Sequence, residues 1–492
     1  MAAQSMRYHN HQWAGVALSL PESWGDIAAL DGYDASSRDV DQTSELCSWL
    51  RERHIAGQPC AWLRPEVLLC VNPSRPLKGF YGDRDITTRL HEMAVWRGRA
   101  SRGNRPAHPF AVGESAARRA AAGETVCVCA VGESGSGKTE AAKLVLLHML
   151  NMPLDILDSY VEPDLQAAEA GAAARRALAL AVVLSRAVLE AFTHAATPAN
   201  SNASRAVLAT QLWLSPGVGL LAGARYQLAL LQSGHAGRPP SEGHGNFDVL
   251  HAAAASATAD ELGGIEPQRL RLLQQVGPGG HAATAPAPTH GGGARWDQVV
   301  AALSALGMEA PCVTRLREVL LGLLLLGELD PYQLQRAATE PPSTEMRALI
   351  RQCEKLLGGG CDVRDFMPPP RAASAAESAP SLLSGLQLSR AHAILISRAY
   401  EQVVTGLLRW VNAALVRVAE QRSGAGGGVT GGGGAGHAAL IAGCGSVTVI
   451  DAPGLEGLIV GEADAAGKAP AQKAAEAAAA EPAVQRSGAE LA

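Results

Sequence analysis

Eight residues constrain this chain more than any other stretch. Gly132-Glu133-Ser134-Gly135-Ser136-Gly137-Lys138-Thr139 fits G-x-x-x-x-G-K-[ST] at every fixed position. The short apolar run before it, Thr125 to Val131, predicts a strand, and Glu140 to Met149 after it has the Ala, Leu and Val spacing of a helix. Strand, glycine-rich loop and helix in that order form a cradle for phosphate. The glycines let backbone N–H groups turn inward around a β-phosphate, and the helix N-terminus adds partial positive charge. Lys138 reaches the β and γ oxygens, and the Thr139 hydroxyl is placed for Mg²⁺. The competing reading is a strand-to-helix turn with a solvated lysine, but motif and context agree against it.

Two further polar segments have the chemistry of phosphate sensing. Asn200-Ser201-Asn202-Ala203-Ser204-Arg205 offers a Ser hydroxyl for Mg²⁺ and a cation for the γ-phosphate. Asp451-Ala452-Pro453-Gly454-Leu455-Glu456 follows the β-branched run Ser446 to Ile450, so Asp451 suits the Mg²⁺ shell and the Gly454 N–H the γ-phosphate. Taken singly, each is also an ordinary Asn/Ser or Asp-Pro-Gly turn.

The rest of the chain sets the surroundings. Its 492 residues allow two to four folding units, at roughly 100 to 200 residues each. We divide it into an N-terminal extension (1–45), a nucleotide-binding segment with the P-loop (46–150), a long helical insertion with loops (151–422), a glycine-rich insert (423–445), a strand and loop (446–460) and a low-complexity tail (461–492). Helical blocks are expected at Trp296 to Leu306, Val313 to Leu329 and Ala391 to Val418, with loops at Gly277 to Ala294, Gly358 to Ser381 and Ser423 to Gly436. Val67 to Val71, closed by Asn72-Pro73, predicts a second buried strand. The net charge of −5 gives no field that recruits nucleic acid or anionic lipid. The N-terminus lacks a signal-peptide pattern, and the longest dense apolar run, Val319 to Gly327, is too short to span a bilayer, so an intracellular protein is expected. Nine scattered cysteines without a CxxC pair are read as reduced structural thiols rather than zinc ligands or disulfides.

These segments resemble, in order from about Ser44 to Glu456, the myosin motor-domain family. GESGSGKTE, with Glu133 and Glu140, resembles that family's GESGAGKTE. VLLCVNPSRPLKGFYG is similar to the stretch that flanks the adenine, matching at Asn72 and Tyr81, and His108 to Ala111 resembles the stretch before the P-loop. NSNASRAV is similar to switch I and DAPGLE to switch II; GLLAGARYQLALLQS and Gly245 to Leu250 resemble two intervening segments. The fold so implied is α/β: a P-loop NTPase-type mixed sheet with flanking helices and a large helical insertion, an incomplete head. The implied ligands are ATP and Mg²⁺, and the implied activity is ATP hydrolysis with actin-filament binding, a motor of the cytoplasmic cytoskeleton. The resemblance assigns Lys138 and the loop from Gly132 to Gly137 to the phosphates, with Asn200 beside them. It assigns Thr139, Ser204 and Asp451 to the metal. Arg205 and Glu456 would pair across the two switches, holding a water in line with the γ-phosphate.

The departures from the family are specific. Ala203 stands where switch I has its first Ser, Leu455 replaces the switch II Phe, and LLQSGH replaces LLEKSR. The 36 residues from Gly457 to Ala492 are low-complexity, whereas the family's relay helix, converter and lever lie beyond switch II. Light-chain binding is therefore not expected on this chain, and a non-motor, ATP-holding remnant with weak hydrolysis is the second reading. A P-loop GTPase is the third, but no Asn-Lys-x-Asp motif occurs. Kinesin-like motors hold their switches close together, whereas here 246 positions separate Arg205 from Asp451.

Overall fold

The computed structural model describes residues 40–56, 58–64, 66–72, 107–150, 170–198, 200–217, 219–276, 295–336, 341–358, 360, 362–363, 385–422 and 434–454. In chain order the elements are α1 (Val40–Ile55), β1 (Cys60–Arg64), β2 (Val67–Cys70), α2 (Pro109–Ala121), β3 (Thr125–Ala130), α3 (Lys138–Leu150), α4 (Ala170–Thr193), β4 (His194–Thr197), β5 (Asn200–Ser204), β6 (Val207–Leu214), β7 (Leu221–Ala229), α5 (Asp248–Ala255), α6 (Trp296–Ala305), α7 (Ala310–Glu328), α8 (Pro331–Arg336), α9 (Thr344–Leu357), α10 (Gly385–Arg422), α11 (Gly434–Ile441) and β8 (Gly445–Asp451).

A mixed four-stranded sheet runs in the order β3-β8-β6-β7. β3 and β8 are parallel, in register from Thr125↔Ser446 to Ala130↔Asp451. β8 is antiparallel to β6, with Leu208 opposite Asp451, and β6 is antiparallel to β7. Along β6 burial alternates with period two: Leu208, Thr210, Leu212 and Leu214 are buried, and the residues between them half-buried. That is the pattern of a strand with one face on a core. The parallel pair matters most for function. Two parallel strands end at the same edge of the sheet, so the loops leaving β3 and β8 lie side by side, where α/β folds hold their ligands.

α4 anchors the core to the sheet. The Tyr226 hydroxyl of β7 donates to the Val182 carbonyl at 2.6 Å, and the Tyr400 hydroxyl of α10 donates to the Phe192 carbonyl at 2.8 Å. Leu178, Val182, Val188, Leu189 and Phe192 are almost fully buried. The run Leu320 to Leu326 of α7 is buried on every side, which makes α7 a core helix. The expected helical blocks thus appear as α6, α7 and part of α10. Gly434–Ile441, read from sequence as part of a glycine-rich insert, is instead helical and packs on β7 and α10. The expected loops at 277–294, most of 358–381 and 423–433 lie outside the described residues.

The reading of all cysteines as reduced thiols fails at one pair. The β1–β2 hairpin sets Cys60 opposite Cys70, with Cα atoms 4.2 Å apart, and the two are joined as a disulfide. Ten positions of sequence separation carry no motif; the antiparallel register alone brings them together.

Asp248 opens α5 in an apolar setting. It is buried next to Phe247, whose ring stacks on Tyr400 at 4.7 Å, and its Oδ1 has no partner among the described residues. Burial pushes its carboxyl up to about 7. A carboxyl raised above its unfolded value of roughly 4 contributes stability below that value and loses it as pH rises through the folded one. Asp248→Asn is therefore expected to flatten the pH dependence and to gain about 2 kcal/mol over the parent at pH 8, with little gain at pH 4. Denaturant titrations at both pH values check this; an equal gain at both would contradict it.

Candidate nucleotide site

The glycine-rich loop leaves β3 at Val131 and enters α3 at Lys138. Gly135 and Gly137 have φ of +74° and +89°, which side chains with a Cβ rarely adopt. At Gly132 a Cβ would come within 2.7 Å of Ser136 Oγ, which would have to turn away, so the loop closes tightly on itself there. Lys138 Nζ donates across the loop to the Glu133 carbonyl at 2.5 Å. Asn72, just past β2, donates from Nδ2 to the Gly135 carbonyl at 2.7 Å, so the segment carrying it touches the loop.

Asp451, at the end of β8, meets this loop directly. Its Oδ1 accepts from Thr139 Oγ1 at 3.2 Å, across 312 positions of sequence. A hydroxyl and a carboxylate, both hard oxygen donors, are the kind of pair that serves Mg²⁺ together with phosphate oxygens. Among the described residues no group of three or more His, Cys, Asp or Glu could hold a metal. The donor set thus fits a Mg²⁺ that brings most of its ligands with the nucleotide. Gly454 is buried three residues beyond Asp451.

The Asn200–Arg205 segment forms β5 and the turn into β6. Asn200 is held in a local network: its Oδ1 accepts from the Asn202 N–H at 3.0 Å, and Asn202 Oδ1 lies 2.7 Å from His194 Nδ1. Ser204 donates to the Ala206 carbonyl at 2.9 Å. Arg205 is fixed through its backbone: its N–H donates to the Thr193 carbonyl at 2.7 Å, and its carbonyl accepts from Gln232 N–H at 2.9 Å. The Arg205 side chain is buried, and its Nε and Nη2 have no partner among the described residues. Burial lowers the guanidinium pKa, as expected of a cation without a carboxylate. Glu456 and Tyr81 lie outside the described residues. Glu133, Ser134 and Ser136 line the loop, and Glu140 is exposed on the first turn of α3.

One group of residues behind the loop was not singled out by sequence reasoning. Arg186 of α4 donates from Nη2 to Asp451 Oδ2 and from Nε to Glu190 Oε1, both at 2.7 Å. Lys143 of α3 bridges Glu190 and Glu140, each at 3.2 Å. Burial works to raise the Glu190 carboxyl, but Lys143 and Arg186 outweigh it and hold it down at about 2. The sequence hint was weak: Arg186 and Glu190 are spaced i, i+4 on an alanine-rich helix, which usually marks a solvated surface pair.

A family model described as Myosin head (motor domain) matches residues 40–427, well over half of the chain. The chain belongs to the myosin head family. Within this myosin head, a stretch of 140 residues is 34% identical to Myosin-13 of Arabidopsis thaliana, covering 28% of the chain and 8% of that protein. Another of 141 residues is 35% identical to the Myosin ID heavy chain of Dictyostelium discoideum, covering 28% of the chain and 10% of that protein. A longer stretch of 294 residues, 59% of the chain, is 24% identical to human Unconventional myosin-XV, of which it covers 7%. The chain thus matches a tenth or less of the length of these relatives. Among the described residues no helix is long and apolar enough to cross a membrane.

Proposed function

We propose that this myosin head binds Mg-ATP at the loop Gly132 to Thr139 and hydrolyses it as part of a motor that works on actin filaments in the cytoskeleton. The observation that carries the reading is the parallel register Ala130↔Asp451, which lays the loop after β3 against the loop after β8 and joins them through Thr139 and Asp451. Lys138 and the loop amides would bind the β and γ oxygens and stabilise charge on the transferred group. Asn72 would brace the loop beside the adenine, and Asn200 would lie near the phosphates. Thr139 and Ser204 would hold Mg²⁺, with Asp451 supporting it through water, and the ion would supply Lewis-acid charge to the phosphates. The buried Nε and Nη2 of Arg205, without a partner among the described residues, favour its pairing with Glu456, since a desolvated guanidinium is stabilised by a nearby carboxylate. That pair would close the site and exclude bulk water, with the Gly454 N–H aimed at the γ-phosphate.

Ala203 favours a second reading, an ATP-holding protein of the same family with weak hydrolysis. Ala203→Ser is expected to raise the single-turnover rate of ATP hydrolysis by about tenfold, the scale of one restored hydrogen bond in the transition state. ATP affinity should not change. An unchanged rate would show that Ala203 is not the limiting defect. The motor reading is tested by the same single-turnover assay with and without filamentous actin; product release unaffected by actin would sink it.

A further inference from the structure

The cation facing Asp451 comes from the buried helix α4. The Arg186 side chain is 3% exposed and the Asp451 side chain 2%, and their contact is 2.7 Å. Asp451 therefore has both oxygens engaged, Oδ1 by Thr139 and Oδ2 by Arg186. Behind it, Glu190 is paired with Lys143 and Arg186. Lys143 also meets the exposed Glu140, so two cations serve three carboxylates, and Arg186 is the cation in direct contact with Asp451, pairing its charge without a divalent ion. Arg186 also has little freedom to leave. The cavity it lines with Lys143, Leu147, Val183 and Tyr226 measures about 10 Å³, room for roughly one water and not for a swung guanidinium. An arginine in such a place stays charged over the whole working pH range.

We infer that Arg186 is a built-in cation for Asp451, one that fixes and neutralises this carboxylate so that nucleotide is held at the loop with little dependence on Mg²⁺. The inference rests on the ATP reading above. Thr139 remains free to turn from Asp451 toward a nucleotide-borne metal, whereas Asp451 stays committed to α4. Arg186 is then a positioning residue, acting on the nucleotide site through the carboxylate it holds.

The test is equilibrium binding of a fluorescent ATP analogue to the full chain, with excess Mg²⁺ and with EDTA. For the parent protein the two affinities are expected to agree within about tenfold; in Arg186→Gln, which uncovers Asp451, EDTA is expected to cost roughly a hundredfold. Arg186→Lys, which keeps one charge, should fall between them. An EDTA effect that is the same size in parent and Arg186→Gln overturns the inference. So does a loss of about a hundredfold in the parent alone, and that arm decides the matter even if the Gln variant does not fold. Mn²⁺ binding to the nucleotide-free proteins, read by electron paramagnetic resonance, separates this from the ATP reading. If the analogue binds nowhere, the ATP reading fails. Mn²⁺ bound by Arg186→Gln and not by the parent then shows that Arg186 still takes the place of a metal at Asp451, and equal Mn²⁺ binding by both overturns that pairing as well.

Discussion

Glu190→Gln is expected to destabilise the protein by about 3–5 kcal/mol, the cost of removing one partner from a buried charge cluster. Glu190 accepts from Arg186 Nε at 2.7 Å and lies 3.2 Å from Lys143 Nζ, and its side chain is 13% exposed. The neutral amide keeps the shape and removes the charge, so two buried cations are left with only Asp451 and the exposed Glu140. The same group sets an acid limit. With the Glu190 carboxyl held at about 2 in the folded state, against roughly 4.3 when unfolded, its contribution is fully present above pH 5 and is lost as pH falls toward 2. Chemical denaturation of parent and variant at pH 7 and pH 3 reads both effects. A difference between the proteins that does not shrink at pH 3 would contradict the account.

Lys138→Met is expected to lower ATP affinity by about a hundredfold, the scale of losing one charged partner in a desolvated pair. The lysine is half-buried and its Nζ already crosses the loop to the Glu133 carbonyl, so it is held over the space that the glycines leave open. Because Met keeps the stem and drops the charge, circular dichroism and melting temperature should stay near those of the parent. Binding that survives the substitution unchanged would mean that the loop is not the nucleotide site.

Local pattern revealed the strands and loops of this site, and long-range pairing did not follow from it. Thr125 to Val131 and Ser446 to Ile450 read as strands because β-branched and small apolar residues gather there, and both are strands. Nothing in either run says that they lie parallel and adjacent, which is what sets Thr139 against Asp451. α4 is too alanine-rich to show a sharp apolar face, and burial of Leu178, Leu180, Val182, Val183 and Leu184 shows why: this helix is enclosed and needs no solvated stripe. In such a helix the i, i+4 spacing of Arg186 and Glu190 does not tell a buried pair from a solvated one. The glycine-rich stretch misled in the opposite direction. Gly434 and Gly436 sit in α11, a helix secured by packing on β7 and α10 that overrides a poor intrinsic propensity. Cys60 and Cys70 carried no motif, since a cross-strand disulfide depends on register rather than spacing.

An ATP site of the myosin type at the loop Gly132 to Thr139 would prefer ATP to GTP. Displacement of a bound fluorescent ATP analogue by unlabelled ATP and GTP tests it most directly. The account predicts displacement by ATP at concentrations at least about tenfold below those needed for GTP, a difference of about 1.4 kcal/mol. Tighter binding of GTP, or no binding of either nucleotide, would contradict it.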